Sequence, residues 1–155
     1  MNIIDMHCDT IWKLVEDETG QNLRDNGLSI SIEKLQKAGA SAQFFACFIW
    51  MQPFTGAARY TQGYEYACQM LARLDKEVAL NGDDLAMAYD MASYQANMAA
   101  GKISAFATIE EGGIIDDDMR RLEELYAKGI RLITLLWNEE NCMGYPNSTN
   151  QTIMN

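Results

Sequence analysis

Three short segments of this sequence place side chains that can do chemistry directly after an apolar run. The first segment contains His7 and Asp9. The second contains Glu110 and Glu111, which two glycines follow, and the third begins at Trp137. An imidazole nitrogen together with carboxylate oxygens is a donor set that suits zinc, and also iron, cobalt or manganese. The residue types therefore predict a metal site to which these segments contribute.

The spacing of His7 and Asp9 favours metal binding by both side chains. Side chains alternate along a β-strand, so residues two positions apart project to the same side of a sheet. A carboxylate from a neighbouring strand can bridge two metals, and a two-metal site can polarise a carbonyl group and generate hydroxide at neutral pH. We expect Gly112 and Gly113 to let the backbone turn sharply and to keep the cavity open.

Each of these features also has an ordinary structural interpretation. His7 is the only histidine in the chain, and a lone histidine is more often a structural residue than a ligand. A Glu-Glu-Gly-Gly segment is usually a charged turn, and Trp137 can simply pack the mouth of a barrel. Their shared position after apolar runs favours the functional interpretation, because catalytic groups of α/β barrels lie just past the strand ends.

Four apolar runs predict parallel β-strands near residues 3–7, 44–50, 103–109 and 131–137. Helical periodicity predicts helices between them, including one at about 58–80 and another at about 85–100. Alternating strands and helices predict right-handed βα units. A complete (β/α)8 barrel needs about 250 residues, so residues 1–155 are expected to form one domain, about half of such a TIM barrel. A small open α/β sheet, complete in itself, is the alternative.

Composition excludes several classes of partner. The net charge of −10 argues against binding to nucleic acid or to an anionic membrane, because both require clustered Lys and Arg. No apolar run is long enough to span a bilayer and no export signal begins the sequence, so we expect a cytoplasmic protein. The four cysteines form no C-x-x-C pair, which excludes a zinc ribbon and favours free thiols.

Several motifs taken together resemble those of the membrane (renal) dipeptidase family. Residues 5–10 resemble its opening Asp-Gly-His-x-Asp motif, and residues 103–113 look like its third-strand segment ending in Glu-Gly-Gly. Residues 129–135 are similar to its Gly-x-Arg-x-x-x-Leu run, and residues 41–45 fit the stretch before its second strand. The resemblance covers all 155 residues in order. It implies the metal-dependent hydrolase barrel and a dipeptidase that binds two zinc ions.

The resemblance also implies roles for individual residues. His7 and Asp9 match the pair that binds one zinc ion. Glu111 matches the bridging glutamate, and hence the catalytic one, because it directly precedes the two glycines. Glu110 is the second choice, with its side chain expected on the opposite face.

The end of the fourth strand departs from the family pattern. Many members have a histidine there that contacts the reacting carbonyl oxygen, whereas this chain has Trp137 followed by Asn138. We expect both of these residues to contact the substrate. The family draws two further histidines and an aspartate from later strands, and no second histidine occurs here. We therefore expect that the chain alone does not hydrolyse dipeptides. Because half a barrel leaves strand edges unpaired, we also expect a homodimer or higher oligomer.

Two other functions are compatible with the sequence. One is a more distant barrel amidohydrolase acting on a cyclic amide or a similar bond, although such enzymes usually open with His-x-His. The other is a non-catalytic, self-associating domain in which His7 is structural. Metal content and oligomeric state distinguish these possibilities.

Overall fold

The computed structural model describes residues 2–146, in which five parallel strands form one sheet. The strands are β1 (Ile3–Cys8), β2 (Ala40–Phe48), β3 (Leu85–Met87), β4 (Ile103–Glu110) and β5 (Ile130–Thr134). The helices are α1 (Thr10–Glu16), α2 (Ile32–Ala38), α3 (Arg59–Leu80), α4 (Met91–Ala99) and α5 (Met119–Ala127), with a 3-10 helix at Gly112–Ile115. A helix lies in every connection between successive strands, as parallel pairing requires.

β4 is the central strand of the sheet. It pairs with β2 from Ser104 to Glu110, and its other edge pairs first with β3 and then, further along, with β5. β1 pairs with the far edge of β2. This parallel β/α arrangement is that of part of a (β/α)8 barrel, so the predicted fold class is confirmed. No helix among residues 2–146 is both long and apolar enough to cross a membrane.

The short strand β3 corrects the sequence prediction, which assigned its residues to a helix. Leu85 is fully buried and pairs with the start of β4. Helix α4 begins only at Met91, because Asp90 is extended and its side chain accepts a hydrogen bond from the Ser93 amide at 2.7 Å. Ser93 completes a capping box, which satisfies amide groups at the start of the helix.

The limits of two other strands also differ from the prediction. β2 begins at Ala40 rather than near residue 44, because Gly39 ends α2 with a φ of 72° and the chain enters the sheet at once. β5 ends at Thr134, so Trp137 lies in the following loop rather than at the end of the strand. Trp137 is therefore positioned by loop contacts.

The hydrophobic core lies between the helices and one face of the sheet. Alternate residues of β2 and β4 are fully buried on that face, namely Phe45, Cys47, Ala105, Ala107 and Ile109. The helices contribute Ile11, Leu14, Ile32, Met70, Leu74 and Leu125. Because side chains alternate along a strand, the even-numbered residues of β2 and β4 point to the opposite face.

The opposite face of the sheet is more open. Phe44 and Phe106 lie side by side on it, with stacked rings whose centroids are 4.5 Å apart. Ile4 pairs with Ala42 and Leu132 pairs with Thr108, which are even-numbered residues of β2 and β4 and point to this face. Both Ile4 and Leu132 are exposed. This face corresponds to the interior of a barrel, and its upper end is where Glu110 projects.

A buried ion pair attaches the connection between α1 and α2 to helix α3. Glu77 is only 1% exposed; its carboxylate accepts hydrogen bonds from the Leu23 amide and from Arg73 Nε, both at 2.8 Å. Arg73 also donates to the carbonyl oxygens of Leu14 at 2.6 Å and Gln21 at 2.7 Å. The chain between α1 and α2 is therefore fixed through side chains of α3.

Replacing Glu77 by alanine is expected to lower the free energy of unfolding by about 3 kcal/mol, because it removes the carboxylate that neutralises Arg73 and accepts from the Leu23 amide. Urea denaturation measures the change. Glu65→Ala, at an exposed position of the same helix, is the control and should change stability by less than about 0.5 kcal/mol. Equal stability of the two variants would contradict the role of the ion pair.

The four cysteines are free, and their reactivity should follow their burial. Burial raises the pKa of Cys8 to about 12, and the pKa of the buried Cys47 is raised for the same reason. At pH 8 both are therefore thiols rather than thiolates, whereas Cys142 is exposed. We expect iodoacetamide to modify Cys142 first, and Cys8 and Cys47 only after unfolding, as mapped by peptide mass spectrometry. Modification of Cys8 as fast as Cys142 in the folded protein would contradict this packing.

Candidate metal centre

His7, Asp9 and Glu110 converge at the carboxyl ends of the strands. His7 is near the end of β1, Asp9 directly precedes α1, and Glu110 is the last residue of β4. His7 Nε2 lies 3.2 Å from Asp9 Oδ1 and 3.2 Å from Glu110 Oε2. One ligand atom from each residue lies within 4.8 Å of those of the other two. One imidazole nitrogen and two carboxylate oxygens can therefore bind the same ion.

The register of β4 selects Glu110 for this cluster. Glu110 lies opposite Phe48 of β2 and Thr134 of β5, and it shares the parity of Phe106 on the open face. The sequence predicts that Glu111 joins His7 and Asp9, and this prediction is wrong. The structure places Glu110 there, one residue earlier in the sequence. Glu110, the second choice from the sequence, occupies that place because adjacent strand residues project to opposite faces.

Glu111 is not part of the cluster of His7, Asp9 and Glu110, and it is 2% exposed. Its backbone has a φ of 106°, a conformation that residues other than glycine rarely adopt and that costs of order 1–3 kcal/mol. Its Oε1 accepts hydrogen bonds from the Gly113 amide at 2.8 Å and from Asn141 Nδ2 at 2.5 Å. Glu111 therefore contacts the loop that follows β5.

The two glycines permit close approach of that loop rather than a sharp turn of their own, which corrects the expectation from the sequence. The left-handed residue at this point is Glu111, and neither glycine has a positive φ. A Cβ atom on Gly113 would lie 2.6 Å from Glu111 Oε1 and 2.7 Å from Asn141 Cβ. A Cβ atom on Gly112 would lie 3.0 Å from the carbonyl oxygens of Thr134 and Leu135. Larger residues would therefore separate the loop from β4.

Negative charge accumulates around the cluster. Burial raises the pKa of Glu110; the nearby His7 opposes the shift, whereas Asp9 and Glu111 reinforce it. The side chains of His7 and Asp9 are about half exposed, at 49% and 45%, so solutes can reach their ligand atoms. A divalent cation would offset the mutual repulsion of the carboxylates. The donor set fits zinc, which commonly binds nitrogen and oxygen ligands.

Two cavities adjoin the cluster. One, of about 440 Å³, is lined by Asp5, His7, Cys8, Asp9, Thr10, Lys13, Leu28, Ser29 and Ile30. The other, also of about 440 Å³, is lined by Asp9, Trp12, Phe48, Trp50, Glu110 and Trp137. Each cavity is lined both by candidate ligands and by apolar side chains, as small-molecule sites generally are.

Aromatic edges form the wall of the second cavity. The ring of Phe48 makes edge contacts with Trp12 and with Trp137, each at a centroid distance of 4.9 Å. Trp137 therefore lies beside Glu110, at the candidate site, whereas Asn138 does not line this cavity. The sequence interpretation missed Trp12, Phe48 and Trp50. Two signals could have indicated them: Trp12 lies one helical turn after Asp9, and Phe48 ends a strand.

Comparisons with known proteins identify the family. The family model for membrane dipeptidase, peptidase family M19, matches residues 1–152. Among curated protein sequences, none matches this chain. Solved structures that resemble it include dipeptidase AC, a metallopeptidase of family M19, with a TM-score of 0.80 and 19% identity over 91% of this chain and 44% of that one.

Two further solved structures have similar folds. A metallopeptidase from Rhodobacter sphaeroides, liganded with a phosphinate mimic of the dipeptide L-Ala-D-Ala, has a TM-score of 0.77 and 16% identity over 89% of this chain and 46% of its own. The probable dipeptidase PvdM from Pseudomonas aeruginosa has a TM-score of 0.66 and 16% identity over 81% of this chain and 30% of its own. The chain thus spans less than half the length of these structures.

These similarities agree with the geometry described above. The solved structures share the fold, the family model covers nearly the whole sequence, and the His-x-Asp pair meets a strand-end glutamate. The chain belongs to the membrane dipeptidase family of metallopeptidases, peptidase family M19.

Proposed function

We propose that this chain provides one part of the active site of a zinc-dependent dipeptidase. The observation that supports the proposal most strongly is the convergence of His7, Asp9 and Glu110, whose ligand atoms lie within 4.8 Å of one another, in a chain of the M19 family. In the full-length enzyme these residues contribute to a site for two zinc ions. Zinc, when bound, polarises the scissile carbonyl group and activates water at neutral pH.

The residues of the chain contribute binding and orientation. His7 would bind through Nε2, the nitrogen that faces both carboxylates, with its proton on Nδ1. Glu110 ends a strand that pairs on both edges, so its backbone is held in place at the site. Trp12, Phe48 and Trp137 line the cavity beside it. Their rings would shield that side of a bound substrate from water.

We propose small dipeptides as substrates, including those with a D-residue at the C-terminal position. The aromatic cavity of about 440 Å³ can accept the apolar part of such a molecule while its carbonyl group faces Glu110 and Asp9. The relative from Rhodobacter sphaeroides is liganded with a mimic of L-Ala-D-Ala, which supports this choice. Trp137 is proposed to contact the substrate directly. A contact from Asn138 stays a prediction.

Family membership favours the dipeptidase over a more distant amidohydrolase. Self-association and a cytoplasmic location stay predictions. Within residues 2–146, β1 and β5 each pair along one edge, and the exposed apolar residues Ile4, Met6 and Leu132 would suit a contact with a second copy. Such a contact would cover the open face of the sheet.

Substitution of the two adjacent glutamates tests the assignment of the ligands. Glu110→Gln is expected to weaken zinc binding to the chain by more than about tenfold, because an amide is a poorer ligand than a carboxylate. Glu111→Gln is the matched control and should leave zinc affinity nearly unchanged, since Glu111 contacts Asn141 instead. Isothermal titration calorimetry measures both. A larger loss in Glu111→Gln than in Glu110→Gln would contradict the assignment.

Activity should require ligands from outside this chain. A catalytic zinc ion typically takes three protein ligands plus water, so the three residues of this cluster can bind one ion but not two. We expect no hydrolysis of L-Ala-D-Ala by the 155-residue chain with zinc, and hydrolysis by a protein extended to the length of its relatives. An amino-acid release assay compares them. Equal rates would contradict the proposed ligand count, and an extended protein that is inactive would contradict the proposed function.

A further inference from the structure

A loop after β5, residues 135–144, contains Trp137 and is closed by its own hydrogen bonds. The amides of Asn141 and Gly144 each donate to the other residue's carbonyl oxygen at 3.1 Å. Asn141 Oδ1 accepts from the Met143 amide at 2.8 Å, and Asn141 Nδ2 donates to the Leu135 carbonyl oxygen at 2.9 Å. Asn141 thus joins the two ends of the loop, and Trp137 lies between them in the sequence.

Glu111 connects this loop to the end of β4. Its Oε1 accepts the 2.5 Å hydrogen bond from the same Nδ2 that spans the loop, and it also accepts from the Gly113 amide. The Glu111 side chain is almost fully buried, and Asn141 is half-buried. The absence of side chains on Gly112 and Gly113 allows the loop to lie directly against the 3-10 helix.

Helix α3 contacts the same loop from another direction. Arg59 Nη1 lies 4.0 Å from Glu139 Oε2, and Tyr60 Oη donates to the Glu140 carbonyl oxygen at 3.4 Å. These contacts are longer and more exposed than the one made by Glu111. Glu111 therefore provides the short, buried attachment, and α3 supplements it.

The attachment determines where Trp137 lies. Trp137 packs edge-on against Phe48 and lines the cavity beside Glu110, although it lies outside any strand. Glu110 and Glu111 are consecutive, so a single peptide unit links the candidate metal ligand to the residue that fixes the loop. The two carboxylates have different partners: Glu110 lies beside His7, whereas Glu111 accepts from Gly113 and Asn141.

We propose that Glu111 is a positioning residue, which holds the loop of residues 135–144 through Asn141 and so places Trp137 against the substrate cavity. This inference rests on the proposed dipeptidase function for its catalytic consequence, although the attachment itself is independent of it. The residues of the Glu-Glu-Gly-Gly segment thus have two roles. Glu110 lies in the candidate metal site, while Glu111 and the glycines contact the loop.

Fluorine NMR of the chain labelled with 5-fluorotryptophan tests the attachment. The three tryptophans give three signals, and Trp137→Phe assigns that of Trp137. Glu111→Ala should shift or broaden the Trp137 signal much more than that of Trp50. Glu111→Gln should restore it, because the amide oxygen still accepts from Asn141 and Gly113. Asn141→Ala removes the same contact together with the bonds of Asn141 to Leu135 and Met143, so it should change the Trp137 signal at least as much as Glu111→Ala does. It also provides the test if Glu111→Ala fails to fold.

Kinetics of the full-length protein test the consequence. Glu111→Ala should raise KM for L-Ala-D-Ala by about tenfold, with zinc content unchanged and with recovery in Glu111→Gln. The exposed variant Glu123→Gln is the control. An unchanged Trp137 signal in both Glu111→Ala and Asn141→Ala would overturn the inference, as would loss of zinc from Glu111→Gln. A wild-type protein without dipeptidase activity would refute the proposed function, while the fluorine spectra would still decide the role of Glu111.

Discussion

The pairing of β4 with β2 on one edge and β5 on the other determines which of two adjacent carboxylates faces His7. At the end of β4, Glu110 pairs with Phe48 on one side and with Thr134 on the other, and its side chain therefore projects from the open face of the sheet. A shift of one residue in this register would exchange the two faces along the whole strand. It would remove Glu110 from the cluster and expose the apolar residues that now pack against the helices. The burial of the core thus enforces the position of the candidate ligand.

The same register explains the division between the two faces. The face of the sheet under the helices is apolar. The opposite face leads, at the carboxyl ends of the strands, to the cluster of two carboxylates and one imidazole. The connection after α1, fixed by Glu77 and Arg73, supplies Leu28, Ser29 and Ile30 to the wall of the first cavity. The buried contacts therefore hold the exposed polar groups near one another, as preorganised sites require.

Much of this arrangement could be predicted from the sequence, and the reasons for the remainder are physical. The apolar runs predicted the four longer strands, and the position of His7 and Asp9 after the first run predicted that they lie at a strand end. β3 was missed because three residues are too few for a periodic pattern. The choice between Glu110 and Glu111 depends on register and on a left-handed φ, which residue types alone do not reveal. The role of the glycines depends on Asn141, far along the chain, and Trp137 reaches the site through a loop contact.

The proposed binding of a metal ion by His7 Nε2, Asp9 and Glu110 can be tested at a single side chain. Because His7 is the only histidine, nitrogen-15 NMR of the labelled imidazole reports on this one residue without assignment. On addition of zinc, we predict a large shift of the Nε2 resonance to the range of a metal-bound nitrogen, with the proton retained on Nδ1 and the shift abolished in Glu110→Gln. A His7 Nε2 resonance that zinc leaves unchanged in this chain would contradict the account.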